Sequence, residues 1–226
     1  MILLEATSLW SIAPDALVAA LNAALSKGAR FAEIYAEEVL MFEAALERGG
    51  IEKISLDGRC GMGLRLVGEC GTVYLYEPGV SEEAVARLAA SATGGGWMRG
   101  CNPFAGARLA LDPGDLATSG ASVLTGADAA ARAAAGPAVW DVKAYARERR
   151  RRVAVVNSQG VFARDDRRFA ALDVHVTCVA GKKMRSALRS DGAESLEEIL
   201  HRGVHVSLGR EAGLEAFRRL EAVEAP

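Results

Sequence analysis

The sequence predicts an α+β protein: an antiparallel β-sheet laid out as meanders, with helices packed against it. Three observations carry that expectation. Hydrophobic residues follow a helical period over 17–25 and then switch to a period of two between Phe31 and Glu77, and the second half of the chain repeats the strand theme. The alternating stretches are short and separated by glycine-containing turns, as in strands joined by hairpins rather than by crossover helices. With 226 residues, of which 50% are hydrophobic and 25% charged, the chain can bury a substantial core.

Pro14 and Asp15 open the first predicted helix, with Leu17, Val18, Leu21, Ala24 and Leu25 on one face and Gly28 as its stop. "FAEIYAEEV" then sets Ala32, Ile34 and Ala36 against Glu33, Tyr35 and Glu37. "MFEAALERG" and "IEKISLDG" read as two further short strands divided at Gly49-Gly50. "CGMGLRLVGECGTVYLYE" reads as two strands reversing at Gly68-Glu69, where a leading glycine suits a tight primed turn. Ser81 caps a second helix with Glu82 and Glu83 in its first turn and Val85, Leu88, Ala89 and Ala92 on its apolar face. Residues 1–97 are therefore expected to form a helix–β-meander–helix unit.

Residues 98–124, rich in Gly, Ala and Pro, predict an irregular connection. Residues 125–226 are expected to hold a short helix from Thr125 to Gly136, a second set of antiparallel strands, and C-terminal helices near 196–202 and 208–222. Within that set, "RERRRR" (147–152) is expected at a hairpin tip, and the chain turns again at Asn157-Ser158-Gln159-Gly160. Ala170, Leu172, Val174, Val176 and Cys178 share one strand face, with Asp173, His175 and Thr177 on the other. No internal repeat is visible in the residues themselves.

Composition excludes several classes. A net charge of −2 and a pI near 6.0 give no pull toward nucleic acid or an anionic membrane. The first residues lack a signal peptide's basic and apolar regions, and no apolar run approaches the ~18 residues of a membrane span, so a soluble cytoplasmic protein is expected. Cys60, Cys70, Cys101 and Cys178 contain no C-x-x-C pair and are expected to be reduced. The predicted hairpin holds Cys60 and Cys70 roughly 20 Å apart, beyond disulfide reach.

The most suggestive chemistry is His201 and His205, at the four-residue spacing of a helical zinc pair. Ser195 and Glu198 form a capping box that starts a helix at Leu196, and Gly203 stops it between the two histidines. They therefore do not share a helical face, Arg202 stands where a zincin carries its glutamate, and surface or capping roles are expected. The glycine runs "GRCGMG" and "TGGGW" lack a phosphate-loop context, and Ser158 has no histidine near it in sequence. No catalytic, cofactor-binding or metal-binding residue is assigned.

Taken together, the strands "FAEIYAEEVLMFEAALERGGIEKISLDGRCGMGLRLVGECGTVYLYE", with the G-x-G-x-R run Gly61-Met62-Gly63-Leu64-Arg65, resemble the N-terminal half of the TldD/PmbA family. So do the helix from Ser81, the stretch "VAVVNSQGVFARDDRRFAALDVHVTCVA" with its "ANSEG"-like turn, and the final "REAGLEAFRRLEA". The family was once described as modulators of DNA gyrase and is regarded as zinc metallopeptidases. The resemblance implies an N-terminal domain over 1–226, from a system acting on unstructured peptide between two related subunits, as a homo- or heterodimer. It places zinc in an H-E-x-x-x-H motif of a C-terminal domain that this sequence does not contain, so no cofactor is expected in this chain and no activity from it alone. Two other readings stay open: a stand-alone non-catalytic partner of a full-length peptidase, and an unrelated α+β binding module.

Overall fold

The computed structural model describes residues 12–69, 71–93, 107–108 and 114–222. In chain order these form α1 (Pro14–Leu25), β1 (Phe31–Glu47), β2 (Gly50–Gly68), β3 (Gly71–Pro78), α2 (Glu82–Thr93), β4 (Ala107–Arg108) and α3 (Gly114–Ala135). A 3₁₀ turn at Gly136–Ala138 leads to β5 (Val139–Asn157), β6 (Phe162–Ala180), β7 (Lys183–Ala193), α4 (Leu196–His201) and α5 (Val204–Glu221). The expected α+β class with antiparallel meanders is what forms. The strands run in the order β3-β2-β1-β5-β6-β7, with β4 paired to β2 off this path. Each meander is preceded and followed by helix, so the element order repeats although the residues do not.

Several boundaries differ from the sequence expectation. The four short strands expected between Phe31 and Gly68 are two long ones, reversing at Arg48-Gly49. Both turn residues have positive φ (51° and 78°), the geometry of a type I′ hairpin, and the Arg48 amide donates to Asp141 Oδ1 at 3.1 Å. The basic run 147–152 is not a hairpin tip but lies inside the 19-residue β5. Six consecutive charges survive within a strand because each inward-pointing one has a partner. Glu148 pairs with Arg168, Arg150 with Asp166, and Arg152 with Asp166 and Glu38.

Helix α3 begins at Gly114 rather than at Thr125. Residues that signal loops and caps are absorbed by bonding backwards: Ser122 Oγ donates to Thr118 O and Thr125 Oγ1 to Ala121 O. Gly120 and Gly126 sit inside this helix for lack of room, since a Cβ at either would come within 2.7 Å of the Phe42 ring or 2.5 Å of the His205 imidazole. Strand β7 has no counterpart in the sequence expectation, because only Ala187 along it is buried and its charges hide the alternation. The last helix begins at Val204 instead of 208, and Val18, expected in a core, is exposed.

The chain divides into two compact units. The first comprises residues up to Leu40, 57–111 and 150–167. In it α1 packs on α2 and α2 on β3, around a core of Leu17, Leu21, Ile34, Met62, Leu64, Leu66, Val85 and Leu88. The second comprises 41–56, 112–149 and residues from 168 onward. Here α3 packs on α4 and α5, and α5 on β7, over a core of Phe42, Leu46, Val123, Leu124, Leu172, Val174, Leu196 and Ile199. Alternation does the sorting: Ala170, Leu172, Val174, Val176 and Cys178 are all fully buried, as their spacing predicts.

Candidate functional site

In the first unit, the face of the strands opposite the core holds a connected polar cluster. Glu37 accepts from the Tyr35 hydroxyl at 2.7 Å and from Arg151 Nε at 2.6 Å, and Arg151 Nη2 donates to the Tyr35 oxygen at 3.0 Å. Burial, then the Glu37 carboxylate, raises the Tyr35 phenol. Burial, with added repulsion from Cys60 and Glu37, pushes Tyr76 up to about 12. The first glycine and the arginine of the G-x-G-x-R run now have a physical reason, whereas a Cβ at Gly63 would meet nothing closer than 3.6 Å. A Cβ at Gly61 would fall 1.8 Å from the Tyr76 hydroxyl oxygen, so this glycine makes room for the ring. Arg65 closes the run, 5.2 Å above the Phe31 ring and 3.3 Å from Glu33 Oε1.

In the same unit, the exposed Asp166 accepts from Arg150 Nε at 3.0 Å and Nη2 at 2.6 Å, and from Arg152 Nε at 3.3 Å. Hydrogen bonding by Arg150 outweighs desolvation and holds the Asp166 carboxyl below its ordinary value of 3.8. A carboxylate with a lowered folded-state pKa stabilises the fold above its unfolded value, and that contribution disappears as pH falls through the folded value. Stability is therefore expected to drop on acidification below about pH 4, and Asp166→Asn to flatten that part of the curve. Urea midpoints measured between neutral pH and about pH 3 check this; an unchanged slope in Asp166→Asn contradicts it.

The second unit carries a trough of about 340 Å³ lined by Glu43, Ala44, Ala45, Lys53, Tyr145, Arg147 and Asp173. Ala45 is small while its neighbours are long, which leaves the depression. Lys53 donates to Glu43 at 2.7 Å, and Arg147 pairs with Asp173. The Lys53 hydrogen bond holds the Glu43 carboxyl down, helped more weakly by Arg147. Beside them Glu47 accepts from Lys143 at 3.2 Å and Tyr145 at 3.1 Å. No single motif announces this trough. Its only signal in the sequence was opposite charges at outward positions of strands that pair across the chain.

The other candidates resolve individually. His201 ends α4 and is exposed, as expected. His205 is not a surface residue: Gly203, at φ 66°, ends one helix and immediately starts the next, which buries the imidazole against Gly126. His175 lies on β6 opposite Leu188. Ser158 is a clasp, its Oγ accepting from the Ala32 amide at 3.1 Å and its amide donating to Ala32 O at 2.8 Å. Cys60 and Cys178 are buried free thiols raised by burial, whereas Cys70, Cys101 and the "TGGGW" run lie outside the described residues.

Residues 107–220, half of the chain, match the family profile described as the PmbA/TldA metallopeptidase central domain. The chain belongs to the PmbA/TldD family. That removes the rival of an unrelated module. No curated protein matches the sequence. Among solved structures, a Thermotoga maritima protein described as a modulator of a DNA gyrase has a TM-score of 0.69 and 14% identity, over 94% of this chain and 49% of that one. A Bacteroides thetaiotaomicron protein with a similar description gives 0.60 and 13%, over 93% and 51%. TldE from Thermococcus kodakarensis gives 0.61 and 14%, over 89% and 47%. At these identities the likeness concerns the fold, and the chain spans about half the length of each.

The PmbA/TldD description implies a metal. Among the described residues no three His, Cys, Asp or Glu side chains come together as a metal site, so these residues do not fit zinc. No helix among them is long and apolar enough to cross a membrane.

Proposed function

We propose that this chain is the scaffold and part of the substrate-cleft wall of a PmbA/TldD-type metallopeptidase system acting on unstructured peptides. In this reading it works in the cytoplasm, associates with a related subunit, and leaves activation of water to a zinc-bearing domain. The observation that carries the proposal is the match of residues 107–220 to a metallopeptidase central domain. The trough supplies a physical means of contact. Its volume falls within the usual range of ligand clefts, roughly 300–1,000 Å³. Its outward side chains alternate along strands with the same period of two as an extended peptide. Lys53 uses one ammonium hydrogen on Glu43, which leaves donors for a peptide's carbonyl or carboxylate oxygens.

The test is hydrolysis of an unstructured peptide by this chain, by a zinc-bearing member of the family, and by both together. This chain alone is expected to cleave nothing between about pH 5 and 9 with zinc added, since no described group is placed to activate water. The mixture is expected to cleave at a rate different from the zinc-bearing protein alone, and Lys53→Ala with Arg147→Ala to reduce that difference. Zinc-dependent cleavage by this chain alone, abolished by chelator, overturns the proposal, as does a mixture indistinguishable from its zinc-bearing component.

A further inference from the structure

Strand β7 ends the strand order, so one of its edges has no strand beside it among the described residues. In an antiparallel strand the N–H and C=O of a given residue point to the same edge, and successive residues take opposite edges. Met184, Ser186 and Leu188 are alternate residues of β7, and each of their carbonyls accepts from an arginine. Arg185 Nη1 donates to Met184 O at 2.9 Å, Arg219 Nη1 to Ser186 O at 2.6 Å, and Arg189 Nη1 to Leu188 O at 3.0 Å. Two of these arginines belong to β7 itself and the third reaches over from α5. Glu215 holds two of them in place, bonding Arg219 through Oε1 at 2.7 Å and Arg189 through Oε2 at 3.1 Å.

Without these contacts the edge would be a strong template. Met184 and Leu188 are 54% and 55% exposed, and Ser186 and Ser190 complete an uncharged row at the even-numbered positions. An extended, apolar, unpaired edge invites strand addition, and proteins commonly block such edges with charge. We propose that Arg185, Arg189 and Arg219 form a guard that keeps β7 of a second copy of this chain from pairing with this edge. An incoming strand must donate its own N–H groups to the three carbonyls, and the guanidiniums already occupy them. In a two-fold β7–β7 pair, Lys183, Arg185 and Arg189 of the two copies would also be brought close together, with like charges repelling. Glu215 is the positioning residue of the guard. The inference is independent of the peptidase proposal.

The experiment is sedimentation velocity over a range of protein concentrations, comparing the protein with a variant carrying Arg185→Ala, Arg189→Ala and Arg219→Ala. The variant is expected to form a larger species at concentrations at least about tenfold lower than any association of the parent. Adding Leu188→Pro, which removes an edge-facing N–H and is tolerated on an edge strand, is expected to abolish that species. Circular dichroism establishes that each variant is folded. Should the triple variant fail to fold, Arg185→Ala alone leaves the Glu215 contacts intact and is expected to show a smaller shift in the same direction. A folded variant that assembles like the parent overturns the inference, and so does association that Leu188→Pro leaves unchanged.

Discussion

Gly209→Ala is expected to destabilise the protein by about 1–3 kcal/mol, although alanine is the better helix former by about 1 kcal/mol. The reason is the crossing of α3 and α5. A Cβ at Gly209 would stand 2.2 Å from the Ala127 carbonyl oxygen and 3.0 Å from its carbon, and that obstacle is backbone of a packed helix. It gives way only if the two helices separate, which opens the contacts of Val123, Ala127, Ala131, Ala212 and Ala216, all fully buried. Gly213 is the milder case, with a Cβ 2.8 Å from Ala131 O. Gly203→Ala serves as comparison, because nothing lies within 4 Å and only its φ of 66° resists, at about 1 kcal/mol. Urea denaturation ranks the three, and a Gly209→Ala midpoint equal to that of the parent sinks the close-approach argument.

The second large effect is expected at Glu148. This carboxylate is 6% exposed, accepts from Arg168 Nη2 at 2.9 Å, and accepts from the Leu196 amide at 2.8 Å. The second bond matters most. Leu196 opens α4, whose first amides have no partner within the helix, and the negative charge also faces the positive end of the helix. Ser195 Oγ takes the Glu198 amide at 3.1 Å, so two side chains from distant parts of the sequence cap one short helix. Glu148→Ala is expected to cost about 2–3 kcal/mol, below the value for a fully buried ion pair because Arg168 keeps part of its hydration. Glu148→Gln, which still accepts from Leu196, is expected to recover roughly half of the loss. Equal losses in the two variants would show that the ion pair, and not the cap, is what counts.

Glu148 also shows why the basic run misleads when read along the chain. Six charged residues in a row suggest a solvated turn, and nothing local says otherwise. Arg168, Asp166 and Glu38, which make a strand affordable there, come from β6 and β1. The same logic hid α3. Thr118, Ser122 and Thr125 favour caps and turns in isolation, and Gly120 and Gly126 weaken any helix. Phe42 and His205, from elsewhere in the chain, supply the reason for both glycines. Strand β7 escaped notice because one of its faces is covered by α5 through Arg189 and Glu215, a polar contact that leaves no alternation of apolar residues.

The candidate site was less legible than the fold. Of its residues the sequence reading placed Asp173 on a strand face away from the apolar one, and the trough exists only because Lys53, Glu43, Tyr145, Arg147 and Asp173 come from four strands brought side by side. The histidine pair was the reverse case. Its four-residue spacing is conspicuous in the sequence, and the helix stop at Gly203 correctly separated the two residues. The burial of His205 depends on α3 and could not be read locally.

The sequence by itself determined the α+β class, the inward face of β6, the Ser81 and Ser195 caps and the family resemblance. Each rests on neighbours a few residues apart, where period, turn chemistry and capping act. Only the tertiary structure decided the strand order, the length of β5 and α3, the trough and the arginine-covered edge of β7. Those depend on which distant groups meet, because a buried charge or a helix glycine is stable or costly according to what packs against it.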